Sequence, residues 1–274
     1  MGTLYLVATP IGNLEDMNPR GVRILSESIL IAAEDTRHTK KLLDHFNIKT
    51  PYTSYFEHNK LHKLDLILEK LSQGDVALVS DAGTPAINDP GYELVKAALA
   101  SNFDVRPVPG PSAPISALTV SGLPTDSFLY LGYLPHKKNE RKKSLQQISE
   151  QPYTLIFLET PHRLLDSLDD ILETLGNRQI CIAREMTKLY EEYFRGQISE
   201  AIAYFKSKEP RGEFTLVIAG KKTEDRKRWT EDELLKAIKK ELKKDKSAKE
   251  TSAELAESSG WNKKEIYNLV NQSK

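Results

Sequence analysis

Four segments crowd Gly, Pro, Ser, Thr and Asp directly behind short apolar runs: ATPIGN (Ala8 to Asn13), SDAGTPAINDPG (Ser80 to Gly91), PVPGPSA (Pro107 to Ala113) and ETPHR (Glu159 to Arg163). Such segments turn the chain tightly and present backbone N–H and C=O groups to a ligand. No G-x-G-x-x-G follows the first apolar run and no G-x-x-x-x-G-K-[ST] occurs anywhere, which argues against a Rossmann dinucleotide site, a P-loop and an ordinary Rossmann-like methyltransferase. Asp81 and Asp89 could serve a cationic ligand or cap the helix that follows them. The histidines are scattered and no H-x-x-x-H or D-x-D-x-D-G frame occurs, so no metal is expected. Cys181, the single cysteine, lies in the apolar run QICIA and reads as core filler rather than a nucleophile.

The elements that must position these loops alternate from the first residues. The runs TLYLVA, ILIAAED, DVALVSD and VRPVPG read as strands with amphipathic stretches between them, which predicts an α/β lobe with a mainly parallel sheet. In parallel α/β sheets ligands sit beyond the carboxyl ends of the strands, where these loops lie. After Gly122 a second series begins with SFLYLGYLP, YTLIFLET, RQICIARE, EEYFRG and GEFTLVIAG, with helices expected around 161–175 and 198–205. From residue 223 the strands cease, and a Lys/Glu-rich helix leads into a helix-turn-helix pattern, KETSAELAESSGWNKKEIYNLV. The division predicted is an N-terminal lobe over 1–121, a second lobe over 122–222 and a helical appendage over 223–274, read as an RNA-docking module whose Trp261 and Tyr267, with Leu255, Ile266 and Leu269, could form a small core.

The 274 residues carry 39 cations and 39 anions, a zero net charge that hides a basic tail on an acidic body. A second basic cluster, HKKNERKK, spans His136 to Lys143. That asymmetry fits either a polyanion partner or solvated helical faces. No stretch approaches the roughly 18 apolar residues of a membrane span, and the opening MGTLYLVATPIGN lacks a basic segment followed by a long apolar core, so a cytoplasmic location is expected.

Seven motifs in order, LVATPIGNLED, AAEDTRHTKKLL, SDAGTPAINDPG, PGPSA, GYLPHKKNERK, FLETPHRL and AREMTKLYEE, resemble the tetrapyrrole methylase superfamily, the class III S-adenosylmethionine methyltransferases. Within it, the run looks like the branch that methylates a cytidine 2′-hydroxyl in 16S rRNA of the small ribosomal subunit, at the decoding centre. The resemblance implies a two-lobed α/β fold with S-adenosylmethionine in the cleft between the lobes, and a homodimer. It places the cofactor against Thr9 and Pro10, against Ser80, Asp81, Ala82, Gly83, Thr84, Pro85, Ala86, Ile87 and Asp89, and against Ser112 and Ala113. From the second lobe it adds Phe157, Leu158 and the backbone of Ala183, Arg184, Glu185 and Met186. Thr160 and Arg211 stand where a small residue and Lys are expected.

A ribose hydroxyl is a weak nucleophile and needs a base or a cation beside it. The candidates lie in EDTRHTK (Glu34 to Lys40) and YFEHNK (Tyr55 to Lys60). His58 or Asp35 is expected as proton acceptor, Arg37 as a phosphate clamp, and Asn59 beside them. The segment from Glu34 to Arg37 reads equally as a helix cap, and Arg184 and Glu185 as an ion-pair network. His38, His45 and His62 read as surface residues. Two other functions share these features: a porphyrinoid C-methyltransferase, and an RNA-binding ribosome-assembly factor without turnover.

Overall fold

The computed structural model describes residues 2–56, 60–221, 229–242 and 247–272. In the first lobe five strands, β1 (Thr3–Val7), β2 (Leu30–Ala33), β3 (Tyr52–Ser54), β4 (Val76–Val79) and β5 (Asp104–Val108), form a sheet of order β3-β2-β4-β1-β5. Every pairing in it is parallel. The crossovers are α1 (Pro19–Glu27), α2 (Thr36–His45), α3 (Lys60–Gln73) and α4 (Tyr92–Ala100). Strands buried on both faces must be apolar throughout, and VALV and LIAA are. Along β4, Ala77 and Val79 pack with α1 and α2, while Val76 and Leu78 pack with α3 and α4. Only β3 escapes the sequence reading; three half-exposed residues at a sheet edge leave too short a pattern to see.

The second sheet is mixed, unlike the first. Its strands β6 (Phe128–Tyr133), β7 (Thr154–Glu159), β8 (Gln179–Arg184), β9 (Glu192–Gln197) and β10 (Phe214–Ile218) run in the order β6-β7-β10-β8-β9. β6 and β7 are parallel, whereas β10 pairs antiparallel with β7 and β8, and β8 with β9. A short loop without a helix joins β8 to β9, a connection that permits only antiparallel pairing. One face is covered by α6 (Lys138–Gln147), α7 (Leu164–Leu175) and α8 (Ile198–Lys206). The other face receives α5 (Ala113–Val120) and Ile11, with Ala117 and Leu118 against Ile156, Cys181, Ala183 and Val217. The Arg195 guanidinium donates to the Val120 carbonyl at 2.7 and 3.0 Å, satisfying the carboxyl end of α5. Cys181 is fully buried there, and burial pushes its thiol pKa up, so it is core.

The basic cluster HKKNERKK opens α6 and is largely neutralised within the lobe. Arg141 is buried and pairs with buried Asp170 at 2.6 Å, Lys142 pairs with Glu173, and Lys137 with Glu140. The appendage consists of α9 (Glu231–Leu242), α10 (Ala248–Ser259) and α11 (Lys263–Gln272) around its own core of Leu234, Ile238, Leu255, Ile266 and Val270. Ser247 and Glu250 form a capping box at the start of α10, and Gly260, left-handed at φ 70°, ends it. Trp261 packs on this core and its indole N–H donates to the Trp229 carbonyl at 2.7 Å. Tyr267 stays 43% exposed and is not part of that core.

Candidate active site

The loops behind β1 and β4 are zipped together. Thr9 N–H donates to the Gly83 carbonyl at 2.9 Å, Gly83 N–H returns to Thr9 at 3.0 Å, and the Thr9 hydroxyl donates to Ser80 at 3.3 Å. Gly83 makes this pairing at φ 81°, which favours a residue without Cβ. The Thr84 hydroxyl then donates to the Pro111 carbonyl at 3.2 Å, tying in the loop before α5. Ala86 and Asn88 both adopt φ above 60°, an uncommon conformation for residues with a Cβ, and so the loop curls back toward the second lobe.

Between the curled loops and the edge of the second sheet lies a cavity of about 310 Å³. Of the residues expected at the cofactor, Asp81, Ala82, Gly83, Thr84, Ile87, Asp89, Ser112 and Ala113 line it from the first lobe, and Leu158 and Met186 from the second. Thr9, Pro10 and Ser80 instead line a smaller neighbouring cleft with His38, Thr39 and Lys41. Pro85 and Ala86 belong to the same loop but do not line the cavity. Phe157 packs in the helical core on the far face of its sheet, and Ala183 in the layer beneath α5, so neither side chain faces the cavity. Arg184 pairs with Glu192 at 3.0 Å and donates to the Arg211 carbonyl. Glu185 pairs with Lys188 at 2.9 Å and accepts from the Glu213 N–H, so both sit in the ion-pair network.

The first-lobe wall is acidic. Burial, reinforced by the neighbouring Glu34 charge, pushes the Asp89 carboxyl up to about 6. Burial likewise raises Glu34, whose carboxylate accepts from the Asp81 N–H at 3.3 Å. Three carboxyl groups facing one cavity favour a cationic ligand, which lowers their mutual repulsion. On the opposite wall stand Tyr130, Tyr133, Glu159, Glu213, Phe214 and Thr215. Burial raises Tyr130 to about 12, so its hydroxyl is neutral. The Glu159 carboxylate is occupied internally by the Ser167 hydroxyl at 2.6 Å and the Thr160 N–H at 2.8 Å.

Asp35 does not line this cavity. It caps α2, accepting from the Arg37 N–H at 2.8 Å, and pairs with the Arg37 side chain, which holds its carboxyl well below the usual carboxylate range. The Arg37 guanidinium is 85% exposed beside it. The Asp35 N–H donates to Asp81 at 2.9 Å, so the cap is one hydrogen bond from the cavity wall. His58 and Asn59 lie outside the described residues.

Glu34, Ile11, Asn88, Pro114 and the wall from Tyr130 to Thr215 line this cavity without having been among the residues expected at the cofactor. Glu34 obeys the strand-end rule as well as Asp81 does, directly behind β2. Glu213, Phe214 and Thr215 reach the cavity because β10 is inserted between β7 and β8, an order that strand spacing does not reveal.

Residues 3–202 match the family model of the Tetrapyrrole (Corrin/Porphyrin) Methylases. The chain is 47% identical to the Ribosomal RNA small subunit methyltransferase I of Halalkalibacterium halodurans, over 99% of this chain and 95% of the relative. It is 49% identical to the protein of the same name from Thermotoga maritima, over 81% of this chain and 100% of the relative. Among solved structures, the methyltransferase CobJ superimposes with a TM-score of 0.61 at 16% identity, over 80% of this chain and 95% of that one. That likeness shows the fold.

Proposed function

This chain belongs to the tetrapyrrole (corrin/porphyrin) methylase family, and from that premise we propose that it is an S-adenosylmethionine-dependent methyltransferase of the small ribosomal subunit. The methyl group goes to a cytidine 2′-hydroxyl of 16S rRNA. The observation that carries the substrate is the 47% identity with a small-subunit rRNA methyltransferase over nearly the whole of both chains. The proposed setting is the cytoplasm, and the proposed assembly a homodimer; sedimentation of the purified protein checks the latter.

The acidic wall fits the cofactor: Asp81, Asp89 and Glu34 would face its cationic groups, and the backbone of the loop from Ser80 to Asp89 its neutral polar edges. When bound, S-adenosylmethionine supplies an electrophilic methyl on a positively charged sulfur. The two walls exclude water and orient the acceptor, which is where most of the acceleration of a displacement can arise. Arg37, exposed and planar, is the proposed clamp for an RNA phosphate, oriented by Asp35. Proton acceptance falls to His58, with Asn59 beside it, because a carboxylate held as far down as Asp35 is a poor base.

Incubation with methyl-labelled cofactor and small subunits from a strain lacking the protein tests this function. Label in 16S rRNA together with stoichiometric cofactor binding is the expected result. Subunit binding with no cofactor uptake would identify an assembly factor instead.

A further inference from the structure

Side chains of a regular strand alternate between faces, so Tyr130 and Tyr133, three residues apart on β6, should point to opposite sides of the sheet. Both line the cavity. The register explains how: Tyr130 is opposite Ile156 and Tyr133 opposite Leu158, three steps on β6 against two on β7. One extra residue is therefore inserted into β6, and a bulge of this kind re-aims the side chains beyond it. The same switch is visible on the far face, where Leu129 and Leu134, five apart, both join the core beneath α6 to α8.

The inserted turn is held from both lobes. Gly132 is buried at φ 63° against Asn88 of the first lobe, and a Cβ there would collide with the Asn88 amide. Asn88 is itself left-handed. The consequence of this arrangement is a single aromatic ring, Tyr133, 51% exposed at the side of the cavity while its neighbour Leu134 is buried.

The cavity, at about 310 Å³, is at the small end of the roughly 300–1,000 Å³ range of ligand pockets. With the cofactor in such a cavity the nucleotide must approach from solvent, and Tyr133 is a lining ring that is 51% exposed. Proteins that handle unpaired RNA stack splayed bases on aromatic faces, a contact that tolerates any base. We propose that Tyr133 is the platform on which the base of the acceptor nucleotide stacks, holding its ribose toward the cavity; this rests on the methyltransferase reading above.

The test compares wild type, Tyr133→Ala and Tyr133→Phe in cofactor calorimetry, thermal melting and steady-state methyl transfer to unmethylated small subunits. Tyr133→Ala is expected to keep its melting temperature and cofactor affinity while KM for the subunit rises about tenfold or more. Tyr133→Phe, which keeps the ring, should restore KM. An unchanged KM in Tyr133→Ala overturns the proposal, as does a loss of cofactor affinity that parallels the loss of transfer, which would make the ring part of the cofactor wall. A wild type that binds subunits but transfers no methyl sinks the methyltransferase reading and this inference with it.

Discussion

Asp89 is ionised against two opposing influences, burial and the neighbouring Glu34 charge, which raise its pKa from 3.8 to about 6. A raised folded-state value means that its contribution to stability is full below about pH 4 and lost as pH rises through about 6. A bound cation reverses that preference by favouring the carboxylate. Cofactor affinity is therefore expected to strengthen between pH 5 and 7, with proton release on binding, and to lose this dependence in Asp89→Asn. Calorimetry in buffers of different ionisation enthalpy measures both; a pH-independent wild type would remove Asp89 from the cation site. At the same scale, His58→Ala is expected to lower kcat by about a hundredfold or more with cofactor affinity unchanged. Asp35→Ala, which frees Arg37 from its pair, should act mainly on KM for the subunit. The reverse pattern, kcat falling in Asp35→Ala alone, would return the base to Asp35. Asp81 and Asp89 were legible in the sequence because both follow a strand of unbroken apolar residues. The depressed pKa of Asp35 was not, since it depends on the fork of Arg37 folding back onto its own helix cap.

Among the elements, α6 shows how a charge pattern can mislead. Five cations in eight residues read either as a polyanion surface or as a solvated face, but Arg141 points inward, with its Nε 2.7 Å from Asp170 and its terminal nitrogen 3.2 Å from the His136 carbonyl. Replacing one partner of a buried pair strands the other, so Arg141→Ala is expected to destabilise the second lobe by about 3–5 kcal/mol. Urea unfolding checks it, and a loss below about 1 kcal/mol would mean that Asp170 finds another partner. The strands of the first lobe were readable because continuous apolar runs such as VALV must be buried on both faces. The order of the second sheet was not, because antiparallel insertion of β10 brings together residues distant in sequence, and the bulge in β6 shifts side chains by one position with no change in composition.

On the scale of the whole molecule, two five-stranded sheets carry a helical appendage with a core of its own. The Thermotoga maritima relative is matched in full by 81% of this chain. The helical character and separate core of the appendage were legible in its apolar spacing, although Tyr267 proved to be a surface residue. Its exposed Lys236, Lys239, Lys240, Lys263 and Lys264 can contact phosphates without reading bases; Lys243 and Lys244 lie outside the described residues. Truncation after Gly220 is expected to leave cofactor binding intact, weaken subunit affinity and flatten the salt dependence of log K by about one unit per lost phosphate contact. Parallel salt lines of equal affinity would make the appendage a solvated addition.

The proposed reaction delivers a methyl group from the cavity to a cytidine 2′-hydroxyl. A 2′-O-methyl group removes the nucleophile that alkali uses to cut the adjacent phosphodiester. Transfer of labelled methyl to small subunits, followed by alkaline digestion of the 16S rRNA, therefore reads the acceptor atom directly. The expected result is label in an alkali-stable dinucleotide whose 5′ residue is cytidine, and its loss in a Gly83→Val variant, where a branched side chain must adopt the φ of 81° that closes the loop. Label recovered in ordinary mononucleotides, as a methylated base, would contradict it.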